Sequence, residues 1–248
     1  RNVDNEVLVF KSRRLMTEVA RNLHLDVSYT VKDGLRTVEL YTQSPVQLSF
    51  PDAEEAQAFS LQAVPVSEKE VMLSGFTLAG QEVADGKPMK VALNDTATTP
   101  VGRVVVVPSL YYGDKYFNTV VQVTKSPLQS AALRFQSGLQ ATLASKTATI
   151  INLTLQDVSI PRAEDVINTL ISVYNTDAIN DKNQIVMNTS NFINDRLIVI
   201  EKELGDVDSD IESYKREHQL TDISSETGMY LQTSSQYRQE GLSLENQL

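Results

Sequence analysis

Residues 193–218 read INDRLIVIEKELGDVDSDIESYKREH, and this stretch decides the fold. Ile193, Leu197, Ile200, Leu204, Val207, Ile211, Tyr214 and His218 follow one another in alternating steps of four and three. That spacing is a heptad seam, which returns apolar side chains to one side of a helix every 3.5 residues. Tyr214 and His218 are its weaker end. Between the seam positions lie mostly charged residues, among them Glu201, Lys202, Asp206, Asp208, Asp210 and Glu212, the exterior of a solvated helix. Propensity alone does not hold such a helix; its stripe needs a partner surface.

The helix extends in both directions from the seam. Upstream, Ser159-Ile160-Pro161 places a proline in a first turn, with Glu164 and Asp165 at the positive end of the helix dipole. No proline occurs from Arg162 to Leu248. A helix from Pro161 to Gln219 would hold 59 residues, about 88 Å at ~1.5 Å per residue. A globule of this mass cannot bury that length, so much of it is expected to project. Downstream, Leu220-Thr221-Asp222 can close one helix and cap the next. Ile223, Tyr230, Tyr237 and Leu244 then recur every seven residues, a weaker stripe diluted by serine and glycine. Residues 161–248 therefore predict a coiled-coil-like antiparallel helical hairpin with its tip near 218–223, the second stripe partnering the first.

Residues 1–160 read as an α/β base, making the whole chain α+β. A helix is expected over residues 4–23, capped by Asp4, with Leu8, Leu15, Val19 and Leu23 inward and Arg13, Arg14 and Arg21 outward. Arg13 and Arg14 are also placed to meet acidic groups of a neighbouring subunit. Asp26–Val31 and Leu35–Tyr41 form strands around an Asp33-Gly34 turn. Residues 50–110 are short strands punctuated by glycine and proline, a possible β-rich insertion, with Val104–Val107 central in a sheet. After a strand at 120–124, Ser126-Pro127 has the form of a cap and first helical position, opening a helix that ends near Gly138. A hairpin follows, turning around Ser145-Lys146.

Composition excludes several chemistries. The 248 residues hold no cysteine and two histidines, so thiol nucleophiles, cysteine-ligated metals and disulfide scaffolds are out. A net charge of −10 disfavours a nucleic-acid backbone as partner. Gly75–Gly80 lacks the lysine and serine of a phosphate loop, and neither a nucleophile elbow nor a His-Glu-x-x-His site occurs. His24 and His218 stand alone, and the acids of the long helix lack the cleft that glycosidase chemistry needs. No catalytic, cofactor-binding or metal residue is therefore assigned. No stretch approaches the ~18 apolar residues of a membrane span. The chain opens Arg1-Asn2-Val3-Asp4 and stops inside a helical pattern, which is expected of a piece of a longer protein.

Residues 175–222, NTDAINDKNQIVMNTSNFINDRLIVIEKELGDVDSDIESYKREHQLTD, closely resemble the chain-length determinant family, the polysaccharide co-polymerases. The start of the family's periplasmic domain is similar to Asn5–Leu25, with Leu15-Met16 after Lys11-Ser12-Arg13-Arg14. Tyr41–Val46 and Lys125-Ser126-Pro127 resemble segments before the family's sheet strand and small helix. The resemblance implies an α/β base near the bacterial inner membrane, a helical hairpin reaching into the periplasm, and homo-oligomeric rings. Those rings would set chain length or export of capsular polysaccharide, exopolysaccharide or lipopolysaccharide O-antigen. Implied partners are a polysaccharide polymerase or an outer-membrane export channel, and the polysaccharide itself. One large branch of the family is fused to a tyrosine kinase. Neither a membrane span nor that kinase lies within these residues, so any ATP and magnesium site would belong to the parent.

The function expected is thus a non-catalytic periplasmic module of a polysaccharide co-polymerase. The alternative is a periplasmic adaptor, or membrane-fusion protein, of an efflux or secretion system. That class sets its hairpin between two halves of a lipoyl-like domain, and no such split pair is evident. An enzyme acting on polysaccharide is a third reading, one that would need two close carboxylates in a cleft.

Overall fold

A computed structural model describes residues 3–84, 86–145, 149–217 and 223–245. The chain divides into two compact units, Arg1–Ile179 and Asn180–Leu248. Its elements, in order, begin with α1 (Val3–Phe10), α2 (Arg13–Asn22), β1 (Val27–Asp33), β2 (Arg36–Glu39), β3 (Val46–Ser49) and β4 (Phe59–Pro65). β5 (Glu70–Leu78), β6 (Gln81–Glu82), β7 (Met89–Ala92), β8 (Thr96–Thr99), β9 (Gly102–Pro108) and β10 (Val121–Lys125) follow. Then come α3 (Leu128–Gly138), β11 (Leu139–Leu143), β12 (Ile151–Leu155), α4 (Ile160–Glu217) and α5 (Ile223–Glu245). The chain is α+β, with one long helix and antiparallel sheets.

Among the described residues, the first unit holds the twelve strands. The main sheet runs β2-β1-β10-β4-β5-β6, with β7 also on β5; β3-β9-β8 and β11-β12 form two smaller sheets. Alternation decides which face each strand buries. Phe59, Leu61 and Ala63 of β4 and Val121 and Val123 of β10 point one way, and meet Val46, Leu48, Val104 and Val106 of the three-stranded sheet. Residues 50–110 therefore share one core with Tyr29, Val121 and Val123. β9, with its four valines, is the middle strand of its sheet. In β5 the register slips opposite Ser60 and Gln62. Gly75 takes φ 59° there, and a Cβ would press to 3.3 Å of the Gln62 side chain. Glycine is favoured there on both counts.

A second core gathers Phe10, Leu15, Met16, Val19, Leu128, Phe135, Val166 and Leu170. The first segment departs from one continuous helix over 4–23. The chain breaks at Lys11-Ser12, where the Ser12 hydroxyl accepts the Leu15 N–H at 3.3 Å and caps α2. A serine cap offers the backbone an alternative that the apolar periodicity does not reveal. Asp4 lies inside α1 rather than capping it. Ser126 does not cap α3 either. Pro127 occupies the cap position, and the Ser126 N–H bonds the Asp26 carbonyl at 2.7 Å. The β11–β12 pair matches the expected hairpin, with residues 146–148 of its turn outside the described residues.

Lys125 is buried at 5% exposure beside Asp26, 3.1 Å away. Its ammonium also donates to the carbonyls of Glu54, Gln57 and Ser126 at 3.4, 3.3 and 3.0 Å. Burial pushes the Tyr29 hydroxyl up to about 12, against the Leu48 N–H that it accepts at 2.8 Å.

Exposed ion pairs contribute modestly to the acid limb of stability. Hydrogen bonds from the Arg103 side chain hold Asp52 down to about 2, and Arg21 and Arg14 likewise lower Glu55 and Asp177. Carboxylates whose folded pKa lies below the unfolded one stabilise the fold above about pH 4, and lose that contribution as pH falls. Urea midpoints are expected to drop between about pH 4 and pH 2. Arg103→Gln should make that drop shallower. An identical drop in the variant would remove Asp52 from the account.

Candidate functional site

The long helix is anchored by its first turns, which belong to the first unit. The Ser159 hydroxyl accepts the Arg162 N–H at 3.4 Å. Arg162 then binds the Asp157 carboxylate through two nitrogens at 2.5 and 2.7 Å, and Glu39 at 3.4 Å. All three side chains are below 10% exposed. The Glu39 oxygen also accepts the N–H groups of Tyr29 and Tyr41 at 3.3 and 3.2 Å. Burial raises the Glu39 pKa, and the charge of Arg162 opposes that rise. The Tyr41 hydroxyl donates to Asp165 at 2.8 Å, which, after burial, drives its own pKa upward.

Three further contacts hold α4 to the start of the chain. Phe10 stacks on Tyr174 with ring centres 4.5 Å apart. The Tyr174 hydroxyl bonds Glu6, and Arg14 pairs with Asp177, one nitrogen lying 2.9 Å from its oxygen. Arg14 thus meets an acid of its own chain.

The second unit contains the seam. Ile193 through Glu217 lie in one unbroken helix, not several short ones. Ile193, Leu197, Ile200, Leu204, Val207, Ile211 and Tyr214 are all exposed, between 48% and 61%. His218 and, apart from Ile223 at the start of α5, the expected tip near 218–223 lie outside the described residues. On α5, Tyr230 and Tyr237 are exposed too. Among the described residues, then, the seam is an uncovered apolar surface, and the expected partnering of this stripe by the one on α5 is not seen. Its flanks carry Arg196, Glu201, Glu203, Asp208, Asp210 and Lys215. Glu212 and Arg216 pair along the helix at 3.3 Å.

A second stripe escaped the heptad reading. Ile185, Phe192 and Val199 also recur every seven residues, on another side of α4, and all are exposed. The signal was in the sequence at the same period. It was masked because the seam already accounted for the pattern. Beside it Ile185, Val186, Thr189, Ser190 and Ile193 line a shallow groove of about 330 Å³. Between residues 185 and 200 the helix is therefore apolar on two faces, enough for two neighbouring helices rather than one.

Tyr112, in the aromatic loop at 111–117, packs down, its hydroxyl donating to the Ser67 carbonyl at 2.7 Å, while Tyr111 stays exposed. Among the described residues no three His, Asp or Glu side chains converge as metal ligands would. Among them, too, no helix is long and apolar enough to cross a membrane. No protein-family model matches the sequence, and no curated protein is significantly similar to it.

Proposed function

We propose that this chain is the periplasmic part of an inner-membrane polysaccharide co-polymerase. In that role copies of the chain associate through α4, and the assembly regulates chain length or export of a surface polysaccharide without making or breaking glycosidic bonds. α4 and α5 are the arms of a helical hairpin. The observation that carries the reading is the exposed heptad seam on a 58-residue helix whose first turns are anchored to a folded α+β unit.

The seam chemistry supports copies as its partners. Taken as a heptad, Leu197, Leu204 and Ile211 occupy one core position and Ile193, Ile200 and Val207 the other. Leucine at the first core position with isoleucine at the second favours more than two strands. Aligned in parallel, Arg196 would face Glu201 and Asp210 would face Lys215 of a neighbour, with Glu203 opposite Asp208 a repulsive pair between them. The second stripe supplies a surface for a further neighbour.

The test uses the full-length parent in its membrane. The chain has no cysteine, so Leu204→Cys introduces a single reporter in this segment, and parallel copies bring equal positions together. Adding Ile200→Asp and Ile211→Asp should weaken association about a hundredfold or more, since each removes a buried apolar contact. The crosslink should vanish and the polymer length distribution should shift. Loss of the crosslink with unchanged polymer would refute the functional reading while leaving the seam as an interface.

A further inference from the structure

A cavity of about 360 Å³ opens in the first unit between β1, β2, α3 and the start of α4. Ser28 and Thr30 are two apart on β1, so they share a face; Thr37 and Glu39 do the same on β2, and Thr30 pairs with Glu39. This is the sheet face opposite Tyr29, which goes to the core. It presents three hydroxyls to the cavity, and Gln156 adds an amide. Each hydroxyl both donates and accepts, and the amide does the same.

The cavity also contains a second guanidinium, that of Arg134, which is solvent-exposed and makes no direct ion pair among the described residues. Arg162 is spent on Asp157 and Glu39. Arg134, on α3, lies over the Phe135 ring at 5.0 Å, and Arg162 lies over the same ring at 5.3 Å. Among the described residues Arg134 has neither a hydrogen bond nor a carboxylate within salt-bridge distance. Burial and the like charge of Arg162 lower its pKa, and the more distant charges of Asp157 and Glu39 oppose that shift. The cavity volume is in the range of small-ligand sites, ~300–1,000 Å³.

We infer that this cavity binds a small polyhydroxylated anion, a uronic acid or a sugar phosphate, with its acidic group on Arg134 and its hydroxyls on Ser28, Thr30 and Thr37. An oxyanion gives Arg134 the direct hydrogen-bonded partner that it lacks among the described residues, and a planar fork on carboxylate or phosphate is the contact arginine makes best. The ligand's hydroxyls replace water on the strand hydroxyls. Nothing in this site depends on α4 beyond Arg162, so it holds whether or not the seam assembles copies.

The experiment is a titration of the whole chain by amide NMR, with glucuronate, glucose 1-phosphate, inorganic phosphate and glucose as probes. Saturable shifts are expected at residues 28–30, 37–39 and 155–158 with glucuronate or glucose 1-phosphate, the tighter of the two identifying the acidic group. Arg134→Gln should weaken that binding at least about tenfold, the value of one charge-assisted contact. Thr37→Val, at an exposed position, should weaken it about threefold or more while leaving the fold intact. Binding of glucose as tight as glucuronate overturns the proposal. So does inorganic phosphate as tight as the sugar phosphate, binding indifferent to Arg134→Gln, or no saturation by about 50 mM.

Discussion

Replacing Arg162 with methionine is expected to cost the chain about 3–5 kcal/mol, because it strands two buried carboxylates. Asp157 and Glu39 lose their shared hydrogen-bonding cation at side-chain exposures of 9% and 6%. The loss should depend on pH with a defined sign. Burial already raises the Glu39 pKa, and Arg162 is what holds it back. Without the guanidinium the folded-state pKa climbs further above the unfolded one. A group of that kind binds its proton more tightly when folded, so the variant regains stability as pH falls through the folded value. Urea unfolding at pH 8 and pH 5 checks this: the deficit should be larger at pH 8. A deficit below about 1 kcal/mol at both would mean that the cluster is not structural.

Lys125→Met is expected to be comparably damaging, again about 3–5 kcal/mol, since it leaves Asp26 half of a broken buried pair. It also removes the donor that gathers the carbonyls of residues 54–57, a segment whose Glu55 carbonyl receives the Leu128 N–H at 2.8 Å. The second substitution tells the story. Lys125→Met with Asp26→Leu should recover much of the loss, because a buried pair exchanged for packed apolar groups is often near neutral. A coupling of about 1–3 kcal/mol between the two sites is expected from the cycle of denaturation measurements. Simple additivity would show that the lysine acts through the carbonyls alone.

Local periodicity was legible and long-range partnership was not. The seam from Ile193 to Tyr214 could be read directly because a 3.5-residue repeat is a property of neighbouring positions. The same holds for the alternation in β4 and β10, and for the Asp33-Gly34 turn. The break at Ser12 was hidden since one hydroxyl outweighs an amphipathic pattern that continues on both sides of it. The insertion of β10 between β1 and β4 has no local signature. Arg162 has no local signature as an anchor; its partners come from positions 39 and 157, and only the folded chain shows that all three are buried. The cavity around Arg134 was invisible for the same reason, being assembled from two strands and two helices.

The fastening of α1 and α2 to the early turns of α4 has a mechanical consequence. Phe10 on Tyr174, Glu6 with the Tyr174 hydroxyl and Arg14 with Asp177 join the opening of the first unit to its closing helix. Tension applied near residue 3 and drawn off near residue 177 would be borne across this small patch, short-circuiting the sheets between. Pulling would load a handful of side chains before any strand is sheared, so the patch is the unit's weak link under force and its β-layers are spared.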